Sequence, residues 1–252
     1  MERWATPHFA AQAEYWRHLG TAADVLERDG VWAVRTGISS NTENGVVSTG
    51  AVAEAVAAEF LAWLSDVPAS WLCAEGNDET PSVLVSAGCR PENDAWEMSA
   101  DVDHIDVDAP DGITIVSVSS EAELDAWLDV AGPCGWLDTP GDRDARRQLH
   151  VGLGFATPLC LYVGLRDDVP VAMASAFYGQ EIVYLTDLAV LGHERGRGIG
   201  RSLAATRLDE GRRRGCKTAV LAASPNGAKL YRALGFEAHR QPSDRWFYLP
   251  EG

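Results

Sequence analysis

The chain has 252 residues, room for one large domain or two of ordinary size, and a 46% hydrophobic content ample for buried cores. No apolar stretch approaches the roughly 20 residues a bilayer requires, the first 18 residues lack a signal-segment pattern, and five scattered cysteines form no Cys-x-x-Cys, so a cytoplasmic protein without membrane partner, disulfide framework or metal is expected. The net charge of −16 is uneven: residues 1–111 hold 20 Asp and Glu against 5 Lys and Arg, and the remainder 17 against 16, so the first part repels phosphate backbones and no nucleic-acid partner is expected.

In chain order, residues 15–27 and 52–64 show helical apolar periodicity, and 32–36, 46–48 and 70–73 read as strands. The run 83–89 is followed by a further segment at Trp96-Glu97-Met98, and acidic residues with Pro110 mark a linker within 101–112. The charge break and this linker divide the chain into an acidic unit, 1–111, and a second unit, 112–252. In the second, 113–118 is a strand, and a helix begins near Ser119-Ser120-Glu121 with Glu123 placed as in a capping box. A Gly-, Pro- and Asp-rich loop at 132–142 precedes a short helix over 143–151. Three strand-like runs, 159–166, 169–178 and 181–191, separated by Asp167-Asp168 and Gly179-Gln180, should form an antiparallel meander.

The run that follows carries the chemistry. Arg195-Gly196-Arg197-Gly198-Ile199-Gly200 lies between the third strand and a helix-like stretch, 201–214. A strand that turns through glycines into a helix N-terminus gathers unpaired N–H groups and the positive helix end at one point, which suits a pyrophosphate. The spacing argues against a dinucleotide loop, since no third glycine sits three residues after Gly198, and against a nucleotide loop, since no Gly-Lys-Ser/Thr follows. Eight basic and three acidic residues within 192–217 add a local positive field. The chain ends with a strand at 217–223, a helix over 225–234 and strands at 236–240 and 246–249.

About thirty residues after the turn stands Leu230-Tyr231-Arg232-Ala233-Leu234-Gly235-Phe236. Together the R-x-x-G-x-G turn and the L-Y-x-x-L-G-F segment resemble the GNAT superfamily of acyl-CoA-dependent N-acyltransferases, and the resemblance covers 112–252 well. It implies an α/β (α+β) GNAT fold, with a mixed, mostly antiparallel sheet splayed between its fourth and fifth strands. It also implies that acetyl-CoA, or another acyl-CoA, lays its pantetheine arm in that gap. Main-chain groups of Leu188, Ala189 and Val190 would meet the arm and the acyl carbonyl, and N–H donors from Arg195, Gly196, Arg197, Gly198, Ile199, Gly200 and Arg201 the pyrophosphate. The asparagine many members place seven residues before the tyrosine is Ser224 here, with Asn226 nearby. Tyr231 occupies the family's tyrosine position and is the candidate acid for the leaving thiolate. The family's glutamate base has no counterpart, since Glu181 sits too early; Tyr184, Asp187 or a water chain remain, with Asp187 ranked first because strand alternation could face it into the cleft. The acceptor pocket would draw on Trp136, Asp138 and Asp142 from the 132–142 loop, and on Tyr184.

The 83–98 segment looks like a degraded family helix end with its following strand, so the resemblance implies two tandem GNAT-like domains, the first degenerate and without a phosphate turn. An unrelated acidic α/β domain is the alternative. The expected activity is transfer of an acetyl group to a small-molecule amine by a monomer or homodimer. Acetylation of a protein or peptide amine, or a non-catalytic acyl-CoA-binding module, are the other readings.

Overall fold

The computed structural model describes residues 7–74, 76–92, 95–102, 112–239 and 245–250, so most of the expected linker lies outside the described residues. Helix α1 (Pro7–Leu19) opens on a proline, whose fixed φ suits a first helical turn, and buries Ala11, Tyr15, Trp16 and Leu19 along one stripe. The helix expected over 15–27 therefore starts earlier and stops earlier. Its second half is strand β1 (Asp24–Arg28), which pairs with β2 (Val31–Arg35) through Asp29-Gly30. Both turn residues have positive φ, 50° and 78°, the geometry a two-residue hairpin needs and Asp-Gly supplies. Next come β3 (Gly45–Ser48), α2 (Glu54–Trp63), β4 (Ser70–Cys73), α3 (Thr80–Ser86), β5 (Arg90–Pro91) and β6 (Trp96–Asp101).

The second part follows with β7 (Thr114–Ser117), α4 (Glu121–Ala131), α5 (Asp142–Leu153), β8 (Leu159–Arg166), β9 (Val169–Tyr178), β10 (Ile182–Val190) and α6 (Ile199–Arg213). It ends with β11 (Thr218–Ala223), α7 (Gly227–Arg232), β12 (Glu237–Ala238) and β13 (Trp246–Tyr248). The capping box at α4 is formed: Glu123 N–H donates to Ser120 Oγ at 3.3 Å, and Ser119 N–H to the Glu123 carboxylate at 2.7 Å. The meander β8-β9-β10 is antiparallel throughout.

The strands form two sheets in the orders β1-β2-β3-β4-β13-β5 and β12-β6-β11-β10-β9-β8-β7. They repeat one arrangement. In each, a parallel pair, β3 with β4 or β10 with β11, follows an antiparallel run, and an antiparallel strand is then slotted between that pair and a short edge strand. The slotted strand always comes from the other part of the chain. β6 precedes residue 111 but lies in the second sheet, and β13 falls in the last residues but lies in the first, so a division at 111/112 does not follow the sheets. Helix α1 binds the two sheets together. Its Tyr15 and Trp16 pack in one buried cluster with Trp32 and Leu72 of the first sheet and Phe177, Tyr184 and Val220 of the second.

Candidate functional site

Strands β10 and β11 stay paired only from Ile182 to Tyr184, opposite Thr218 to Val220, and then diverge. A β-bulge between Thr186 and Leu188 opens the split, with Asp187 at positive φ, 24°. Leu191 N–H still donates to Val171 O on β9. By strand alternation, Leu188 and Val190 therefore turn their main-chain groups to the opposite, open edge. The corresponding pair of the first sheet, β3 and β4, is matched over all its residues, from Gly45 with Ser70 to Ser48 with Cys73, and leaves no gap.

Beyond β10, a single 3₁₀ turn (Gly192–Glu194) leads into the glycine run. Gly196 and Gly198 have φ of 77° and 83°, and Gly198 is the N-cap of α6. This left-handed geometry turns the chain so that the first N–H groups of α6 point outward, and it excludes bulky side chains there. Arg195 Nε donates to Val190 O at 3.0 Å, holding turn and strand end together. The positive field is narrower than the composition implies. Arg212, Arg213 and Arg214 stand at the far end of the 15-residue α6, paired with Asp209 and Glu210, and Arg207 is buried. Arg195, Arg197 and Arg201 remain at the turn.

The gap opens into a cavity of about 320 Å³. Leu188 of β10, Ser224, Gly227, Leu230 and Tyr231 line one wall. Arg207 organises it. Its guanidinium donates to the carbonyls of Ser175 (2.9 Å), Thr186 (2.8 Å) and Asp187 (3.3 Å), and to the Tyr231 hydroxyl at 3.1 Å. One fully buried cation thus pins the bulge and orients the phenol, whose own proton stays free to be donated into the cavity. The Asp187 carboxylate accepts a hydrogen bond from Ser175 Oγ. Burial pushes its pKa up, the nearby Glu43 adds to this, and Arg146 opposes it.

The other wall is built by the first part of the chain and β13, through His8, Tyr15, Glu92, Glu97, Trp246 and Tyr248. His8 Nδ1 lies 3.2 Å from Glu97 Oε1 without hydrogen-bond alignment, and its ring meets Tyr184 edge-on at 5.5 Å between centroids. Behind this wall lies an ion pair across the two parts, Arg146 Nη1 of α5 to Glu43 Oε1 at 2.5 Å, both almost wholly buried. Against the upward push of burial, Arg146 and the hydroxyls of Ser40 and Thr42 hold the Glu43 carboxyl low. Beside it, burial reinforced by Arg146 holds His150 down to about 4, so its imidazole is neutral.

The profile of the acetyltransferase (GNAT) family matches residues 122–236, a span that contains the split strands, the glycine turn and Tyr231. Residues 122–236 are thus similar to a GNAT acetyltransferase domain. Solved structures share the fold over nearly the whole chain. A GCN5-related N-acetyltransferase from Kribbella flavida aligns at 16% identity over 97% of this chain and 96% of that one, with a TM-score of 0.69. A functionally unknown conserved protein from Staphylococcus epidermidis aligns at 12% identity over 90% and 92%, with a TM-score of 0.63. No curated protein matches.

Within the matched span the structure brings together Asp187, Leu188, Tyr231, Ser224, Tyr184 and Trp136 around the cavity. Ala189 and Val190 side chains are packed into cores on opposite faces of β10, leaving only their main chain to act. Asn226 is exposed and outside the lining, while Ser224 Oγ accepts the Gly227 N–H at 3.2 Å. Two acceptor-pocket expectations fail. Asp138 is exposed and does not line the cavity. Asp142 is buried at the start of α5, accepting N–H groups from Ser39 (2.9 Å) and Thr139 (2.8 Å), so its carboxylate fastens the loops of the two parts together. Sequence reasoning missed Arg207, although its place four residues after Leu203 and four before Gly211, on the apolar stripe of α6, is a legible signal of a buried cation. It also missed His8, Glu92 and Glu97, which only the strand exchange and α1 carry to the site.

Proposed function

We propose that the protein transfers an acetyl group from acetyl-CoA to the amine of a small molecule by direct attack on the thioester. The observation that carries this reading is the single guanidinium, Arg207, joining Asp187 and Tyr231 at the mouth of the β10–β11 gap. The unpaired edge at Leu188 and Val190 offers N–H groups to a pantetheine arm and to the acyl oxygen, where fixed donors stabilise developing negative charge. The glycine turn and the start of α6 suit the pyrophosphate, with Arg197 and Arg201 exposed beside them. Asp187 receives the ammonium and takes one proton. The neutral nitrogen bonds to the carbonyl carbon, the C–S bond breaks, and Tyr231 gives its hydroxyl proton to the departing thiolate. The second amine proton restores the phenol as the amide forms, and the Asp187 proton passes to solvent. The cavity is enclosed by the first part of the chain, which favours a small acceptor over a protein chain.

Tyr231→Phe tests the acid. It keeps the packing on Phe236, 5.3 Å between ring centroids, and deletes the hydroxyl. We expect kcat to fall by roughly ten- to a thousandfold with acetyl-CoA affinity unchanged. Turnover within about twofold of the parent would assign thiolate protonation to another donor. Gly198→Val tests the turn. A β-branched residue at φ 83° must reshape it, so calorimetry should show acetyl-CoA affinity at least about tenfold weaker, as expected when several charge-assisted bonds are lost together. Unchanged affinity in a folded variant would place the pyrophosphate elsewhere.

A further inference from the structure

The acceptor side of the cavity has a definite chemistry. Three carboxylates line it, Glu92, Glu97 and Asp187, and no Lys or Arg does among the described residues. Of the buried guanidiniums, Arg207 is committed to four carbonyls, those of Leu203, Ser175, Thr186 and Asp187, and to the Tyr231 hydroxyl, and Arg146 is committed to Glu43. A ligand carrying its own carboxylate would therefore be enclosed among like charges with no cation to meet it, which a partly desolvated site penalises heavily. Besides Tyr231, five aromatic rings line the cavity: Tyr15, Trp136, Tyr184, Trp246 and Tyr248. Such rings favour a flat apolar group by offset or edge contacts, and a cation over their faces. The volume, about 320 Å³, stands at the small end of the roughly 300–1,000 Å³ of ligand pockets.

A second observation points to a ligand. The His8 side chain is about nineteen-twentieths buried and neither ring nitrogen has a hydrogen-bond partner; the buried Nε1 of Trp246, a residue that also lines the cavity, has none either. These unpartnered polar atoms, buried just behind the cavity surface, are matched by a hydrogen-bonding atom of a bound molecule once the rings turn toward it.

Resting on the acetyl-transfer reading above, we propose that the acceptor is a primary arylalkylamine, with a flat ring bearing a hydroxyl or similar polar atom and no carboxylate. Its ammonium sits at Asp187, its ring among Tyr184, Trp136 and Trp246, and its ring substituent at the end of the cavity where His8, Glu97 and Trp246 stand.

Four probes separate the terms: tyramine; phenethylamine, which lacks the hydroxyl; tyrosine, which adds a carboxylate; and spermidine, a polycation without a ring. Each is measured for CoA release with acetyl-CoA, and by calorimetry for binding to the full chain with CoA present. Tyramine should exceed phenethylamine by about tenfold, the worth of partnering a buried polar group, and tyrosine and spermidine by at least about a hundredfold in kcat/KM and in affinity. Selective tyramine binding without turnover would sustain this acceptor class and overturn acetyl transfer. Turnover of tyrosine or spermidine as good as that of tyramine would sustain acetyl transfer and overturn the class, and absence of binding by all four would overturn it too. In Glu97→Gln the preference for tyramine over tyrosine should fall at least about fivefold; an unchanged preference in the folded variant would refute the carboxylate argument.

Discussion

A fragment of residues 112–252 will not fold as a cooperative unit. It lacks β6, which pairs with β11 over six residues, Asp101 opposite Thr218 to Trp96 opposite Ala223, and with β12 on its other edge. It also lacks Met98 and Val102, both buried in the core of the second sheet, and α1, which covers Phe177, Tyr184 and Val220. Each buried apolar side chain that is lost or exposed costs about 1.5–3 kcal/mol. Five of them amount to roughly the whole 5–15 kcal/mol that separates a folded domain from its unfolded chain. The freed edge of β11 would in addition present unpaired main-chain groups, an invitation to aggregate. Meanwhile β13 would be left without its partners β4 and β5. The check is to compare thermal unfolding, solubility and acetyl-CoA binding of the fragment with the full chain, and with 95–252, which restores β6 and should regain part of the protection. A soluble 112–252 fragment with a sharp transition and full acetyl-CoA affinity would show that β6 and α1 are dispensable.

The same exchange explains what the sequence could and could not tell. Local patterns survive folding: the capping box at Ser120 and Glu123, the alternating meander of β8 to β10, and the turn at Gly196 and Gly198 are encoded by neighbours within a few residues, and each is where the pattern puts it. Tyr231 was legible because a short helix and its glycine stop surround it. Strand partners are different. Trp96 to Met98 and Trp246 to Tyr248 read as strands, but nothing in a strand's own residues says which sheet it will join, since both candidate slots offer the same antiparallel edge. The charge asymmetry suggested a clean division after residue 111, yet net charge bears on solubility and association rather than on strand pairing. Of the residues missed at the site, His8, Glu92 and Glu97 are brought there by α1 and by these long-range pairings, whereas Arg207 carried a local signal on the buried face of α6.

Replacing Arg146 with methionine should cost about 3–5 kcal/mol of stability, on the order of 10 °C in Tm for a chain of this size. The pair it forms with Glu43 is almost wholly buried, so the single change leaves a carboxylate without its cation in a site that water does not reach. Thr42 Oγ1 still donates to Glu43 Oε2 at 2.8 Å, which a neutralising guanidinium does not need but a lone carboxylate cannot live on. Glu43→Leu combined with Arg146→Met removes both charges, and because desolvation offsets much of what a buried pair gains, the double variant should be more stable than Arg146→Met alone. The catalytic consequence has a definite sign. Asp187 must be ionised to take a proton, so activity rises as pH climbs through its pKa, which already stands above the ordinary carboxylate range through burial and Glu43. Arg146 is the cation that restrains that rise. In Arg146→Met the acidic limb of the kcat/KM profile should therefore move to higher pH, and in the double variant, where Glu43 is gone as well, it should move back toward the parent. Paired melting curves and pH profiles of the three proteins check both parts. An acidic limb that stays in place while Tm falls would mean that Asp187 does not receive the proton, and a double variant less stable than Arg146→Met would show the pair to be a net stabiliser that links the two parts of the chain.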